Sequence, residues 1–353
     1  MDGRPETFYP TARRLSHCDV DFLGHGGSSY LPMETGADLV VACISSWFLL
    51  AKGAREIVGL GGSTMGLYAF DGTWNKNKPG DAKDTNVFKF YEAYTGSKWY
   101  VEGPGTRWGL IGKVFGGLFG AGGKERVEEA YEELQKNFRK GDEVIDIVGF
   151  SRGGALALDF ANTIHKMGVL GKSEPTIRFV GVWDVVPSFG VPGNDVNLGY
   201  VLTLPSSVKK CFHAMALDER RQSFKVKRIV TTVVDVNAEG RVYEVWFRGV
   251  HSDVGGGNGN NGLSSIPLSW IYKRAMSCSV PIPADELQRR RGQMKPSALV
   301  SKNFDLQEDP FRPIVWTDVA HHSVTFRPGA HNPPRGLKVV DDDGNILPRG
   351  FGE

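Results

Sequence analysis

The chain lacks a strong charge of either sign. Its 353 residues carry 42 Lys plus Arg against 40 Asp plus Glu, a formal net charge of +2. Binding to nucleic acid requires a concentrated basic face, so this balance argues against a nucleic acid partner. The one short basic run, Arg289-Arg290-Arg291, is explained as a solvated helix end.

Cysteines are few and scattered. The four of them, Cys18, Cys43, Cys211 and Cys278, form no CxxC pair. This pattern favours reduced thiols in a cytoplasmic fold over a disulfide framework or a zinc site.

Long hydrophobic runs are also absent. The longest apolar stretch, Leu39–Ala51, ends near Lys52 and Arg55. It is well short of the roughly 20 apolar residues that a membrane-spanning helix needs, and it predicts a buried helix. Residues Met1–Pro5 show no basic segment followed by an apolar core, so we expect no secretory signal and a protein that is cytoplasmic as synthesised.

Glycine, in contrast, is abundant at 45 residues, which suits a chain with many tight turns. From residue 65 onward, short apolar runs alternate with longer amphipathic ones, which predicts an α/β fold with a mostly parallel sheet and helices on both faces. Strands are predicted at Gly66–Phe70, Lys98–Val101, Val144–Val148, Ile177–Trp183, Ile229–Val236 and Val242–Phe247, and helices at Asn86–Tyr94, Lys124–Arg139, Gly153–Met167 and Ile266–Met276.

The strongest motif is Gly149-Phe150-Ser151-Arg152-Gly153, which matches G-x-S-x-G between a predicted strand and a predicted helix. In this context the motif is typical of the nucleophile turn of an α/β-hydrolase-like fold. Ser151 is the predicted nucleophile, and a serine hydroxyl needs a base within hydrogen-bonding reach. A chance glycine-rich turn is the alternative interpretation.

In that fold the acid and then the histidine follow the serine along the chain. Asp184 directly follows an apolar strand and is the predicted acid. His251 follows the strand that ends at Phe247, opens a glycine-rich loop and is the predicted base. The remaining candidates, His213, His321 and His322, are assigned to a helix-like or tail context.

Stabilisation of an oxyanion requires two backbone donors near the nucleophile. Arg152, the residue after the serine, is predicted to supply the first. Gly72 or Thr73, after the strand that ends at Phe70, is predicted to supply the second. The segment His25-Gly26-Gly27 resembles an esterase oxyanion motif and is the competing source.

The sequence also bears on two other enzyme classes and on one non-enzymatic class. Asp71-Gly72-Thr73 resembles part of the phosphatase motif D-x-D-G-T, but Ala69 stands where the nucleophilic aspartate is required. A metal-dependent hydrolase that uses Asp71, His251 and Asp253 lacks any familiar ligand spacing. We therefore expect no metal and no other cofactor, and we keep Asp71 and Asp253 as site-lining candidates. The non-enzymatic alternative is an interaction protein on a hydrolase fold.

Five blocks in sequence order resemble the type VI secretion phospholipase effector-like family of bacterial α/β-hydrolases. They are Phe70–Asn75, Gly149–Gly154, Gly181–Val185, Ala216–Arg221 and His251–Gly257. The resemblance implies a Ser–Asp–His triad that maps onto Ser151, Asp184 and His251, and a lipid ester as substrate, most simply through phospholipase A-type chemistry. It also implies peripheral membrane contact, export by a type VI secretion system and a secretion-system or immunity protein as partner. A soluble ester is the alternative substrate.

These observations divide the chain into three predicted parts. Residues 1–62 form an N-terminal extension of unknown role, and residues 63–280 form the α/β-hydrolase catalytic domain. Residues 281–353 form an irregular C-terminal segment that packs on or extends this domain. Within the catalytic domain, the block Ala216–Arg221 is assigned packing and ion-pair roles. The glycine-interrupted apolar stretch Trp108–Phe119 is either a membrane-dipping flap or a buried loop.

Overall fold

Eight strands of the described chain form one sheet, and every neighbouring pair of strands in it is parallel. The computed structural model describes residues 64–72, 78–103, 119–187, 199–221, 224–229, 240–302 and 310–353. Several predicted features lie outside these residues: the extension 1–62 with its His25-Gly26-Gly27 motif, Thr73, nearly all of the stretch 108–119, and most of the strand predicted at Ile229–Val236.

Strands and helices alternate through most of the described chain. The strands are β1 (Thr64–Phe70), β2 (Ser97–Val101), β3 (Asp142–Phe150), β4 (Ile177–Trp183), β5 (Val208–Ala216), β6 (Val242–Phe247), β7 (Val319–His321) and β8 (Lys338–Val340). The helices are α1 (Asn86–Ala93), α2 (Phe119–Arg139), α3 (Arg152–Met167), α4 (His251–Gly255), α5 (Asn261–Ser277) and α6 (Ala284–Gln293), with a short 3₁₀ helix at His322–Val324. The spatial strand order is β2-β1-β3-β4-β5-β6-β7-β8.

The sheet is buried on both faces because its strands carry apolar side chains at successive positions. In β4, Val180 and Val182 contribute to the core that includes residues of α2 and α3. Phe179 and Trp183 contribute to the opposite core, which includes residues of α1, α5 and α6. The predicted α/β fold, with a mostly parallel sheet and helices on both faces, is confirmed.

Strand β5 was missed by the sequence analysis, and the assignment of His213 to a helix-like or tail context is wrong. This strand lies between β4 and β6, and His213 within it is fully buried. Two lysines and a histidine interrupt the apolar pattern of β5, so its sequence does not read as a buried strand. His213 is held by Glu244 and by the N–H of Val185, which satisfy both ring nitrogens.

The C-terminal segment 281–353 is more regular than predicted. It supplies α6 and the strands β7 and β8, which extend the sheet beyond β6. Both strands have only three residues, too few for a periodic pattern to be visible in the sequence. His321 lies in β7 and His322 opens the 3₁₀ helix, so neither belongs to an irregular tail.

None of the helices in the described part of the chain has the length and apolar character that crossing a membrane requires.

Candidate active site

Ser151 stands alone between the end of β3 and the start of α3, in a backbone conformation that non-glycine residues rarely adopt. Its φ is 59° and its ψ is −128°. Such a conformation costs on the order of 1–3 kcal/mol and persists only where the surrounding structure fixes it. Here the N–H of Ser151 donates to the carbonyl of Trp183 (3.1 Å), and its carbonyl accepts from Val186 (3.2 Å).

The glycines of the motif are required by close backbone approach. A Cβ on Gly149 would lie 2.7 Å from the carbonyl oxygen of Gly153. A Cβ on Gly153 would lie 2.3 Å from the carbonyl oxygen of Phe70. The turn that carries the serine is therefore packed directly against the end of β1.

Asp184 follows β4, and its carboxylate is fully buried. Its φ of 39° turns the chain sharply at the end of the strand. The backbone of β5 fixes this turn, because the Asp184 N–H donates to Ala214 (2.8 Å) and the Ala216 N–H donates to Oδ1 of Asp184 (2.9 Å).

His251 connects the acid to the serine. Its Nδ1 lies 2.6 Å from Oδ2 of Asp184, and its Nε2 lies 2.9 Å from Oγ of Ser151. A carboxylate can only accept, so Nδ1 donates and Nε2 is left to accept the serine proton. The structure thus brings together the three side chains that the sequence analysis selected from separate parts of the chain.

The sequence analysis placed His251 at the start of a glycine-rich loop, and the structure places it in a short helix. His251 is buried and is the first residue of the short helix α4. Its backbone N–H donates to Glu219 (3.1 Å), and its ring lies between those of Phe150 and Phe224, with centroids 4.6 and 4.8 Å away. The imidazole is held in place rather than carried on a flexible arm.

The surroundings of the site favour an ionised Asp184 and a neutral His251. Burial alone would raise the pKa of Asp184, but the charge of Arg312 and the hydrogen bond from His251 hold that pKa well below its usual range. Burial lowers the pKa of His251 below its ordinary value, although Asp184 opposes this shift. A neutral imidazole beside a carboxylate is the state that a general base requires.

Two of the predicted oxyanion donors, Arg152 and Gly72, lie in the described part of the chain. Arg152 is the first residue of α3, where backbone N–H groups carry partial positive charge. Gly72 follows β1, whose end packs against Gly153. Its N–H donates to Oδ1 of Asp71 (2.6 Å), so it would have to exchange this bond to bind an oxyanion.

Asp71 and Asp253, the two site-lining candidates, accept hydrogen bonds from surrounding side-chain and backbone groups. Oδ2 of Asp71 accepts from Thr85 (2.6 Å) and from Tyr100 (2.5 Å). Asp253 is fully buried and accepts five hydrogen bonds. Its donors are the N–H of Val250, the amides of Asn258 and Asn260, and the N–H and hydroxyl of Ser301.

A shared metal site of Asp71, His251 and Asp253 finds no support in the described residues, where these three do not form a group of converging ligand atoms. The group that does converge there is His321, His322 and Asp342. Hydrogen bonds already link it, since His321 Nε2 lies 2.9 Å from Oδ1 of Asp342 and Nδ1 accepts from the Ser323 N–H.

The comparisons with known proteins support the resemblance drawn from the motifs. The profile of the family described as the type VI secretion system phospholipase effector Tle1-like catalytic domain matches residues 67–176 and 171–274, more than half of the chain. The chain belongs to this family. No curated protein sequence matches it.

Three solved structures are similar to the chain at low sequence identity. An uncharacterized protein from Pseudomonas aeruginosa is 20% identical with a TM-score of 0.47, and the match covers 76% of this chain and 53% of that one. The chain thus spans about half the length of that protein. ClbQ from the colibactin pathway is 13% identical (TM-score 0.35, 62% and 99% covered), and the RedJ thioesterase from Streptomyces coelicolor is 15% identical (TM-score 0.29, 55% and 85% covered).

Arg312 lies outside the part of the chain that matches the Tle1-like family, and the sequence analysis missed it. Its Nη1 donates to Oδ1 of Asp184 (2.6 Å), and its Nη2 donates to Oδ2 (3.1 Å). Nη1 also donates to the carbonyl of Ala216 (2.8 Å), which ties the guanidinium to the end of β5. Nothing in the neighbouring sequence distinguishes Arg312 from the other arginines of this segment, which is rich in Pro, Arg and Asp.

Glu219 was missed as a site residue, although it belongs to the Ala216–Arg221 block. Its Oε2 accepts from the backbone of His251, and both of its oxygens accept from the side chain of Arg221 (3.0 and 2.9 Å). Burial would raise the pKa of Glu219, but Arg221 overcomes this effect and the pKa is lowered. Ion pairs were expected in this block, and the carboxylate of one of them also binds the backbone of His251.

Replacing Arg312 with Gln should lower kcat while KM for a small ester changes little, because Arg312 acts through Asp184 rather than on the substrate. A hydrogen bond to a charged group contributes about 1.5–3 kcal/mol, so the expected loss is on the order of 10- to 100-fold. Steady-state kinetics on a soluble ester measure it. Arg312→Lys keeps the positive charge but loses the bidentate geometry. Its kcat should therefore lie between that of the wild-type protein and that of Arg312→Gln. A normal kcat for Arg312→Gln, with normal thermal stability, would show that the contact is dispensable.

Proposed function

We propose that this protein is a serine carboxylic-ester hydrolase that acts on lipid esters, with phospholipase A-type specificity and an acyl-enzyme intermediate. The observation that carries the proposal is the continuous hydrogen-bonded chain from Ser151 through His251 to Asp184. Membership of the Tle1-like phospholipase effector family supports a lipid ester as the substrate.

The proposed reaction begins with attack of the Ser151 oxygen on the ester carbonyl carbon. His251 takes the serine proton at Nε2, and Asp184 stabilises the imidazolium that forms. The carbonyl oxygen becomes an oxyanion, for which the backbone N–H of Arg152 and that of Gly72 or Thr73 are the proposed donors. His251 then gives its proton to the departing alcohol oxygen as the carbon–oxygen bond breaks.

Water completes the cycle by attacking the acyl-enzyme. His251 again acts as base toward the water and returns the proton to Ser151, so the fatty acid leaves and the enzyme is regenerated. Arg312 supports both halves of the cycle, because each requires an ionised Asp184.

Activity assays distinguish this proposal from two alternative functions. A soluble-ester hydrolase would use the same triad on a different substrate. An interaction protein on a hydrolase fold would need no assembled triad, and the close contacts among Ser151, His251 and Asp184 favour an enzyme. Peripheral membrane contact, export by a type VI secretion system and an immunity protein partner stay predictions from the family.

Replacing Ser151 with Ala should abolish ester hydrolysis while the protein remains folded. Loss of a triad nucleophile lowers kcat by on the order of 10⁴-fold or more. Asp184→Asn and His251→Ala should each reduce kcat strongly, yet add little to the loss in Ser151→Ala, because the three groups act as a unit. Hydrolysis of p-nitrophenyl butyrate, with and without a chelator, gives the readout. Near-normal turnover by folded Ser151→Ala, or activity that the chelator removes, would reject the serine mechanism.

Activity should persist below the pH at which an ordinary histidine titrates. Protonation of His251 stops the reaction, and burial lowers its pKa, so the acid limb of kcat/KM should have its midpoint below pH ~6.5. The profile is measured on an ester without ionisable groups, and circular dichroism at each pH separates loss of activity from unfolding. A midpoint above pH ~6.5 would contradict the assigned environment of the base.

Phospholipid vesicles should release fatty acid when treated with the wild-type protein and not with Ser151→Ala. The reason is that the phospholipase effector family favours a lipid ester, whereas the triad alone would serve a soluble ester equally well. Fatty acid release is compared with hydrolysis of p-nitrophenyl butyrate under the same conditions. Full activity on the soluble ester, with no fatty acid from vesicles of neutral or anionic phospholipid, would leave a soluble-ester hydrolase.

A further inference from the structure

Two imidazoles and one carboxylate converge where the last two strands of the sheet end. His321 ends β7, His322 follows it in the 3₁₀ helix, and Asp342 lies just after β8. One ligand atom of each lies within 4.8 Å of the ligand atoms of the other two. The group forms because β7 and β8 are parallel neighbours, so their carboxyl ends meet at the same edge of the sheet.

The spacing of these atoms suits a zinc ion. Oδ1 of Asp342 lies 2.9 Å from Nε2 of His321 and 3.4 Å from Nε2 of His322. Tetrahedral zinc with bonds of about 2.0–2.1 Å holds its ligand atoms about 3.3 Å apart, and the two observed spacings lie on either side of this value. Imidazole nitrogen with one carboxylate oxygen is a zinc donor set, whereas Ca²⁺ and Mg²⁺ prefer oxygen alone.

His321 has the outer contacts that a metal-binding histidine needs. Only 1% of its side chain is exposed, and its ring stacks on Phe247 with centroids 4.7 Å apart. Without metal, Nδ1 accepts from the Ser323 N–H while Nε2–H donates to Asp342. When Nε2 binds a metal, the ring proton moves to Nδ1, where Oγ of Ser323 lies 3.0 Å away and can accept it. Such a contact fixes the ring and its tautomer.

The cations around Asp342 leave its Oδ1 available. Nη2 of Arg291 lies 3.1 Å from Oδ2, the other oxygen of the same carboxylate. Arg274 donates to the backbone carbonyl of Asp342 (2.9 Å). Nζ of Lys273 and Nη2 of Arg274 lie 2.5 and 3.8 Å from Oδ1 of Asp343, which offsets their charge. These contacts orient the carboxylate in the way that outer partners orient metal ligands.

Solvent reaches the group from one side. The side chains of His322 and Asp342 are 36% and 31% exposed, in contrast to that of His321. An ion can therefore enter from water, and a water molecule can complete its coordination.

We propose that His321, His322 and Asp342 bind one Zn²⁺ ion through the two Nε2 atoms and Oδ1, with water in the fourth position. The hydrogen bonds within the group are its metal-free arrangement. The ion joins β7 to the segment after β8 and so stabilises the C-terminal part of the sheet. Four strand spacings, roughly 19 Å, separate β7 from the strand that leads to Ser151, so zinc takes no part in ester hydrolysis.

Calorimetric titration of the full chain with zinc chloride, after treatment with EDTA and dialysis, tests the site directly. The wild-type protein should bind one zinc ion per chain. His322→Gln and Asp342→Asn each remove a ligand and should weaken binding by more than the 10- to 100-fold that loss of an outer partner causes. Ser323→Ala keeps all three ligands but removes the acceptor for Nδ1–H, so it should weaken binding by 10- to 100-fold.

Thermal unfolding gives a second readout. Zinc at about 100 times its Kd should raise the Tm of the wild-type protein by roughly 4 °C, because the ion binds the folded state. EDTA should reverse the shift, and the shift should be absent in His322→Gln. Neither zinc nor EDTA should change kcat on p-nitrophenyl butyrate at 25 °C. Both readouts are taken without substrate, so they hold whether or not the protein hydrolyses esters.

The matched control is His165→Gln, which removes an imidazole of α3 that is not part of the converging group and should bind zinc as the wild type does. Absence of saturable zinc binding to the wild-type protein overturns the site. Unchanged affinity in folded His322→Gln and Asp342→Asn, an equal loss in His165→Gln, or tighter binding of Ca²⁺ or Mg²⁺ than of zinc also overturns it. Should the ligand variants not fold, Ser323→Ala decides, and unchanged affinity there rejects the site.

Discussion

The candidate site depends on one buried charge, the carboxylate of Asp184. A carboxylate removed from water is costly unless charged and hydrogen-bonding groups compensate it. Here His251, Arg312 and the backbone of Ala216 supply that compensation. Each comes from a different part of the chain, so the site is complete only when β5, the helix after β6 and the C-terminal segment are all in place.

The backbone is strained at two of the residues that form this site. Ser151 and Asp184 both have positive φ, and each directly follows a strand of the parallel sheet. The hydrogen bonds from Ser151 to Trp183 and from Asp184 to Ala214 cross between neighbouring strands and fix these turns. The rigidity of a sheet that is buried on both faces thus positions the serine hydroxyl and the carboxylate on either side of the imidazole.

The block Ala216–Arg221 is connected to His251 through Glu219. Glu219 holds the backbone of His251 on one side and the guanidinium of Arg221 on the other. Phe224 then contacts both the imidazole ring and that guanidinium. The ion pair that the sequence predicts in this block therefore also holds the backbone of His251.

The sequence by itself determined the features that depend on neighbouring residues. The β-branched run of β3, the glycines around Ser151 and the amphipathic period of α2 were sufficient to predict a strand, the turn that carries the serine and a helix. Only the tertiary structure decided the features that depend on distant residues. The strand character of β5 comes from burial between β4 and β6 rather than from its own composition. The role of Arg312 comes from a contact with a carboxylate 128 positions earlier in the chain, and no local pattern encodes such a pairing.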